Sequence, residues 1–196
     1  MIRKKAAILI SGRGSNMAAL IEAARLPDYP AEIVGVLSNK AAAAGLAYAA
    51  SYGIATASLA QSRFPSREMF EDTMTQVLES WEVDYVCLAG FMRILGEDFV
   101  NRWQGRLINV HPSLLPQYKG LDTHARALAD GATEHGCTVH FVTPGLDEGP
   151  TILQASVPVL PDDTESTLAA RVLVEEHRIY PQALRMLVSG EVQFPA

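Results

Sequence analysis

Cysteine is scarce: only Cys87 and Cys137 occur in 196 residues, each inside an apolar run. Two such thiols read as buried side chains in a reducing compartment, not as a disulfide framework. Neither they nor His124, His135 and His177 have the spacing of metal ligands, so no metal is expected. Basic residues are outnumbered, with 16 Lys and Arg against 22 Asp and Glu for a net charge of −6. No stretch gathers five of them, which argues against a phosphate-backbone partner, and no nucleic acid is expected. Long apolar runs are missing too. The run Ala6–Ile10 after the basic opening is five residues, short of the ~7 to 15 of a signal peptide. The alanine-rich stretch from Ala41 to Ala57 is interrupted by Gly45, Tyr48, Ser51, Tyr52 and Gly53, so it makes a poor membrane span. The expectation is a cytoplasmic protein with no membrane partner.

What is present is a chain 48% hydrophobic and 19% charged, long enough to bury a core without staples. Short apolar runs bounded by turn residues, at 6–10, 33–37, 83–89 and 107–110, alternate with helix-length segments around 15–26, 41–52, 66–80 and 94–103. That alternation means parallel strands with crossover helices. After residue 134 the pattern changes to two strand-like runs, Cys137–Val142 and Thr151–Val157, joined by a Pro/Gly-rich turn. The expected fold is α/β, a mostly parallel twisted sheet with flanking helices and an antiparallel C-terminal extension. The stretch from Pro112 to Thr123 reads as a loop. A last helix is expected from near Asp162, where Asp162 and Glu165 have capping-box spacing, until Pro181 bends or ends it.

The first loop, Ser11-Gly12-Arg13-Gly14-Ser15-Asn16, follows a buried strand and opens a helix. Backbone N–H groups there favour an anion. A dinucleotide fingerprint would need a third glycine where Met17 stands and an acid where Ser38-Asn39 stand, and no P-loop Gly-Lys-Ser/Thr follows. One surviving reading is a mononucleotide-like site, with Gly14, Ser15 and Asn16 binding a phosphate through amides and short side chains. A plain left-handed turn capped by Ser or Asn stands beside it with equal weight.

In the strand Leu107-Ile108-Asn109-Val110-His111, alternation sends Asn109 and His111 to one face near the carboxyl end, where open α/β sheets place ligands. An amide donor beside an imidazole suits acyl-group chemistry: Asn109 for a developing oxyanion, His111 for the proton. A carboxylate nearby would favour the charged imidazole. Asp147 is the candidate, with Glu148 an equal competitor in the same turn. No Gly-x-Ser-x-Gly elbow is present and neither cysteine looks nucleophilic, so direct transfer to an amine is favoured over a covalent intermediate.

The segments Leu9–Asn16, Leu88-Ala-Gly-Phe-Met-Arg-Ile-Leu95, Asn109-Val-His-Pro-Ser-Leu-Leu-Pro116 and His140-Phe-Val142 ahead of Leu146-Asp-Glu-Gly149 closely resemble the folate-dependent phosphoribosylglycinamide formyltransferase family. The likeness runs from about residue 6 to about residue 190, with the motifs in order. Arg13 departs from it, since many relatives carry Asn there. The resemblance implies a Rossmann-like N-terminal half and transfer of a formyl group from 10-formyltetrahydrofolate to the amino group of 5′-phosphoribosylglycinamide, in de novo purine (IMP) synthesis. It also implies small-molecule partners only, in a monomer or homodimer. The family's catalytic roles fall on Asn109, which also meets the cofactor, on His111, and on Asp147 as the histidine's carboxylate. Phosphate binding falls on Gly14, Ser15 and Asn16, the folate on Arg67 and Met92, Arg93, Ile94 and Leu95, and the glycinamide on Glu176.

Physical support for these additions is uneven. Arg67 in the first turn of a helix opposes the macrodipole, which slightly favours an anionic ligand. Without the resemblance, an apolar strand-to-helix corner at 91–95 reads as core. Glu176 falls on the stripe Leu168, Val172, Glu176 and Tyr180 and needs a partner, either an amine or a buried Arg. His140 points into the antiparallel sheet and reads as structural first, with assistance near the site as the alternative. A single domain, 1–196, is expected, with a mononucleotide-binding half over about 1–105 and a catalytic and folate half over about 106–196. Methionyl-tRNA formyltransferase and formyltetrahydrofolate deformylase share the chemistry, but each usually carries an extra domain for which this length leaves no room.

Overall fold

The computed structural model describes residues 2–195. Its strands are β1 (Lys4–Ile10), β2 (Ala31–Ser38), β3 (Ala55–Ser58), β4 (Tyr85–Leu88), β5 (Leu107–His111), β6 (Glu134–Phe141) and β7 (Thr151–Pro158). The helices are α1 (Ser15–Ala24), α2 (Ala44–Ser51), α3 (Arg67–Ser80), α4 (Glu97–Arg102), α5 (Thr123–Ala129) and α6 (Glu165–Val188), with a single 3-10 turn at Gln61–Arg63. The strands form one sheet in the order β3-β2-β1-β4-β5-β6-β7. Pairing is parallel from β3 to β5 and antiparallel at β5–β6 and β6–β7, the mixed sheet expected from the sequence.

Strand alternation divides the core between two faces. Ala6, Ile8 and Ile10 pack with Leu20 and Ile21 of α1 and with Leu168, Val172 and Leu184 of α6. Ala7 and Leu9 pack with Phe70, Met74 and Leu78 of α3, with Phe99 and Val100 of α4, and with Trp103 just after it. A strand covered on both sides has no polar face, which explains the unbroken apolar runs. The register carries Leu9 opposite both Leu37 and Leu88, then Leu88 opposite Asn109, then Asn109 opposite His140. The carboxyl ends of the parallel strands therefore share one edge, and the loops that leave it build the site.

Three elements depart from the sequence reading. The edge strand β3 is a four-residue, mostly exposed Ala-Thr-Ala-Ser, too short and too polar to show as an apolar run. Helix α5 begins at Thr123, where the loop ends, with no apolar periodicity longer than two turns. Helix α6 is capped by Thr164: its hydroxyl accepts from the Thr167 N–H while the Thr167 hydroxyl accepts from the Thr164 N–H. The expected pair, Asp162 and Glu165, is not the box. Asp163 beside it is bonded at both oxygens by Arg171, 2.6 and 2.8 Å, which holds its carboxyl well below the usual range.

Nor does Pro181 end the helix, which runs on to Val188. A proline inside a helix removes one N–H and costs about 3 kcal/mol. Burial of Tyr180, Ala183, Leu184 and Leu187 on both sides of it offsets that loss, and the Tyr29 hydroxyl donates to the Pro181 carbonyl at 2.7 Å. Removing the cap with Thr164→Ala should cost about 1 kcal/mol and lower the melting temperature by about 2 to 4 °C. Asp162→Ala should leave it unchanged, and equal melting of all three proteins would contradict this assignment of the helix start.

Candidate active site

The buried Ser11, directly after β1, ties three loops together. Its N–H donates to the Gly90 carbonyl at 3.1 Å, its hydroxyl donates to Asn39 Oδ1 at 2.6 Å, and the same oxygen accepts from the Met92 N–H at 2.8 Å. Three residues on, Gly14 has φ 75° and ψ 44° and ends the turn in the left-handed region that glycine tolerates best. It is the N-cap of α1 and supplies no side-chain acceptor. The Ser15, Asn16 and Met17 N–H groups of the first turn have no helical carbonyl to reach, and the dipole there favours an anion.

Neither Ser15 nor Asn16 caps the helix. Ser15 is exposed, whereas Asn16 turns inward and donates from Nδ2 to Glu176 Oε2 at 2.6 Å. The sequence reading looked for an amine or an arginine beside Glu176; within the protein its partner is Asn16. Burial pushes the Glu176 carboxyl up, and the bond from Asn16 pulls the other way. The Asn16 amide nitrogen is thus spent on Glu176, while its Oδ1 is buried without a partner and Ser15 faces solvent.

On the other face of the sheet, β5 points Asn109 and His111 the same way as Leu107, opposite His140 and Thr138 of β6. The His140 Nδ1–H donates to the Phe141 carbonyl at 2.9 Å. Its Nε2 therefore carries the lone pair and accepts from Asn109 Nδ2, 3.3 Å away. Burial pushes the His140 pKa down, in keeping with a neutral ring. His140 thus meets the Asn109 amide side chain.

The turn between β6 and β7 folds back over this strand pair. Gly149 lies so close to β6 that a Cβ would sit 1.7 Å from the Phe141 carbonyl oxygen, and Asp147 adopts φ 51°. Its Oδ2 accepts from the Gly120 N–H at 2.9 Å and lies 3.4 Å from His111 Nδ1, while Oδ1 is 3.8 Å from His140 Nε2. Glu148 points outward to Lys119 at 2.9 Å. Geometry thus separates two acids that spacing left equal. On its other side, His111 Nε2 is 2.9 Å from the Tyr118 carbonyl. An imidazolium has an N–H on each nitrogen and would find an acceptor on each side here. His111 is 6% exposed, and the Tyr118 carbonyl of the 112–123 loop lies against it.

The segment after β4 shows a further arrangement. Met92 and Ile94 are 61% and 74% exposed, so this corner is not core, as the bare apolar pattern suggests. The buried Glu71 of α3 accepts from the Gly96 N–H at 2.8 Å and lies 4.0 Å from Arg67 Nε. Burial pushes its carboxyl up, opposed by the Gly96 N–H and by Arg67. A cleft of about 410 Å³ is lined by Asn39, Lys40, Gln61, Ser62 and Arg93, and one of about 370 Å³ by Arg67, Glu71, Gly96, Asp98 and Arg102 among others. Neither reaches Asn109, His111 or Asp147. Among the described residues no three His, Cys, Asp or Glu come together as a metal set, and no helix is long and apolar enough to cross a membrane.

The formyl transferase family profile matches residues 4–184. The phosphoribosylglycinamide formyltransferase of Escherichia coli K12 is 48% identical over 186 residues, 95% of this chain and 88% of that protein. The chain belongs to the phosphoribosylglycinamide formyltransferase family. A solved structure of such a formyltransferase from Brucella melitensis is 52% identical, with a TM-score of 0.92, covering 98% of this chain and 100% of that one. The human trifunctional purine biosynthetic protein adenosine-3 is 50% identical over 193 residues. The chain spans 19% of the length of that protein and 14% of its Drosophila pseudoobscura counterpart.

Beside the site, His135 Nε2 and His124 Nδ1 are 3.1 Å apart. Burial and the facing ring push His135 down to about 4 from 6.5, and burial also lowers His124. Between those two pH values the unfolded chain binds the proton that folded His135 refuses, so the stabilisation is complete above about pH 6.5 and fades as pH falls toward 4. The melting temperature should drop over that range, and the drop should be smaller in His135→Gln. An equal drop in both proteins would contradict the assignment.

Proposed function

We propose that the protein transfers a formyl group from 10-formyltetrahydrofolate to the amino group of 5′-phosphoribosylglycinamide in the cytoplasm. The products are formylglycinamide ribonucleotide and tetrahydrofolate, a step of de novo purine synthesis. One observation carries this reading: the chain of contacts Asn109–His140–Asp147–His111 at the carboxyl edge of the sheet. It arranges an amide donor and an imidazole on the same strand face, with an acid behind the ring.

The substrate amine attacks the formyl carbon and a C–N bond forms. The carbonyl oxygen takes the negative charge and is met by N–H groups of Asn109 and His111, donors already fixed before the reaction. His140 holds the first of them in place and Asp147 the second. The amine then gives up a proton, the tetrahydrofolate nitrogen gains one through His111, and its bond to the formyl carbon breaks. For Nε2 of His111 to meet substrate, the Tyr118 carbonyl must be displaced, so binding moves the 112–123 segment.

The ribonucleotide phosphate lies on the Gly14, Ser15 and Asn16 N–H groups, and Glu176 receives the glycinamide end. Arg67 supplies a cation for the acidic end of the folate, and Met92, Arg93, Ile94 and Leu95 form the surface against which it lies. The cofactor contacts thus fall in both halves, Arg67 and Met92–Leu95 in 1–105 and Asn109 with the catalytic groups in 106–196, while Glu176 of the second half serves the ribonucleotide. Both halves of one domain build a single site.

Asn109→Ala and His111→Ala should each lower kcat by ~10² or more in a formyl-transfer assay with both substrates saturating, as loss of an oxyanion donor or general acid does. Two folded variants with normal turnover would refute these roles. Transfer to water or to charged tRNA but not to the ribonucleotide would refute the acceptor.

A further inference from the structure

The two parts of the cofactor surface belong to different elements. Arg67 opens helix α3, and Met92–Leu95 form the segment between β4 and α4. The segment is exposed from Met92 to Ile94, while Leu95 packs on the core shared with α3. One buried carboxylate reaches both parts. Glu71, 6% exposed, lies one helical turn after Arg67, with its Oε1 4.0 Å from Arg67 Nε and 2.8 Å from the Gly96 nitrogen that donates to it. Its second oxygen fills the space where a Cβ on Gly96 would stand, 2.6 Å away, and Arg67 Nε is 3.4 Å from the same point. Gly96 follows Leu95 directly, so the pin acts at the end of the segment.

We propose that Glu71 is a positioning residue for the folate co-substrate: its carboxylate anchors the 92–96 segment through the Gly96 N–H and aims Arg67 along that segment. This rests on the assignment of Arg67 and Met92–Leu95 to the cofactor and goes beyond it, because Glu71 touches no substrate. A buried acid on an otherwise apolar helix face disfavours folding unless something is made of it, and the Gly96 N–H is a single backbone donor that a neutral side chain could satisfy. The carboxylate adds what a neutral group cannot, a charge facing Arg67. Without the pin, the segment and the guanidinium must be ordered when the cofactor binds, and ordering costs affinity. The chemical step, built on β5 and the β6–β7 turn, is untouched.

The test is steady-state kinetics of Glu71→Ala, Glu71→Gln and Arg67→Ala, with melting temperatures as a check on folding. In Glu71→Ala the KM for 10-formyltetrahydrofolate should rise about tenfold, the size expected when a buried donor loses its acceptor. The KM for the ribonucleotide and kcat at saturating cofactor should stay within about twofold. Glu71→Gln, which can still accept from Gly96 but turns no charge toward Arg67, should recover only part of the loss. Gly96→Ala, whose Cβ must displace the carboxylate, should reproduce the Glu71→Ala signature even if that variant folds poorly. An unchanged cofactor KM in folded Glu71→Ala, or loss spread equally over both substrates and kcat, would overturn the proposal. If Arg67→Ala also leaves the cofactor KM unchanged, the cofactor surface itself is misassigned and the pin falls with it; a raised KM in Arg67→Ala alone would sink only the pin.

Discussion

The carboxylate of Asp147 draws together the two histidines and the loop that build the site. One of its oxygens takes the Gly120 N–H and faces His111, and the other faces His140. It therefore fastens the β6–β7 turn to the 112–123 loop and places both over the end of β5. An acid buried to this degree needs donors, and the Gly120 N–H and the His111 ring face its Oδ2. The left-handed backbone at Asp147 and the near contact of Gly149 with Phe141 are the local strain that delivers it there. Glu148, one residue on, has an ordinary solvent-facing partner in Lys119 and none of this consequence.

The same edge carries a second organising contact. The Ser11 hydroxyl joins the ends of β1, β2 and β4, while the Tyr180 hydroxyl of α6 donates to the carbonyls of Leu88 and Ile108 in the neighbouring strands. The ribonucleotide side of the site, with Gly14–Asn16 and Glu176, stands on the face covered by α1 and α6. The catalytic side chains stand on the opposite face, where β5, β6 and β7 extend past the last helix of that layer. A substrate that spans both must cross the carboxyl edge of the sheet, the position open α/β folds use for ligands.

How much of this was legible in the sequence depended on whether the signal was local. The buried parallel strands and the Gly14 turn were legible because each follows from a few adjacent residues. Asn109 and His111 were legible as a pair because strand alternation alone puts them on one face. His140 was not: its meeting with Asn109 depends on the β5–β6 register, and register is set by the whole sheet. Nor could the Asn16–Glu176 bond be read, since it joins residues 160 apart. The cap of α6 slipped by two residues because Asp162 and Glu165 mimic the spacing that Thr164 and Thr167 use. The reach of α6 through Pro181 was hidden for a different reason, as packing overrode a local rule.

The most direct measurement is the crystal structure of the protein with a stable mimic of the tetrahedral intermediate that joins the ribonucleotide to the folate. The account predicts that the oxygen of that mimic lies within hydrogen-bond distance of Asn109 Nδ2 and of one His111 nitrogen, with Asp147 still on Nδ1 and the Tyr118 carbonyl withdrawn from Nε2. An oxygen held by other groups, with His111 still bonded to the Tyr118 carbonyl, would contradict it.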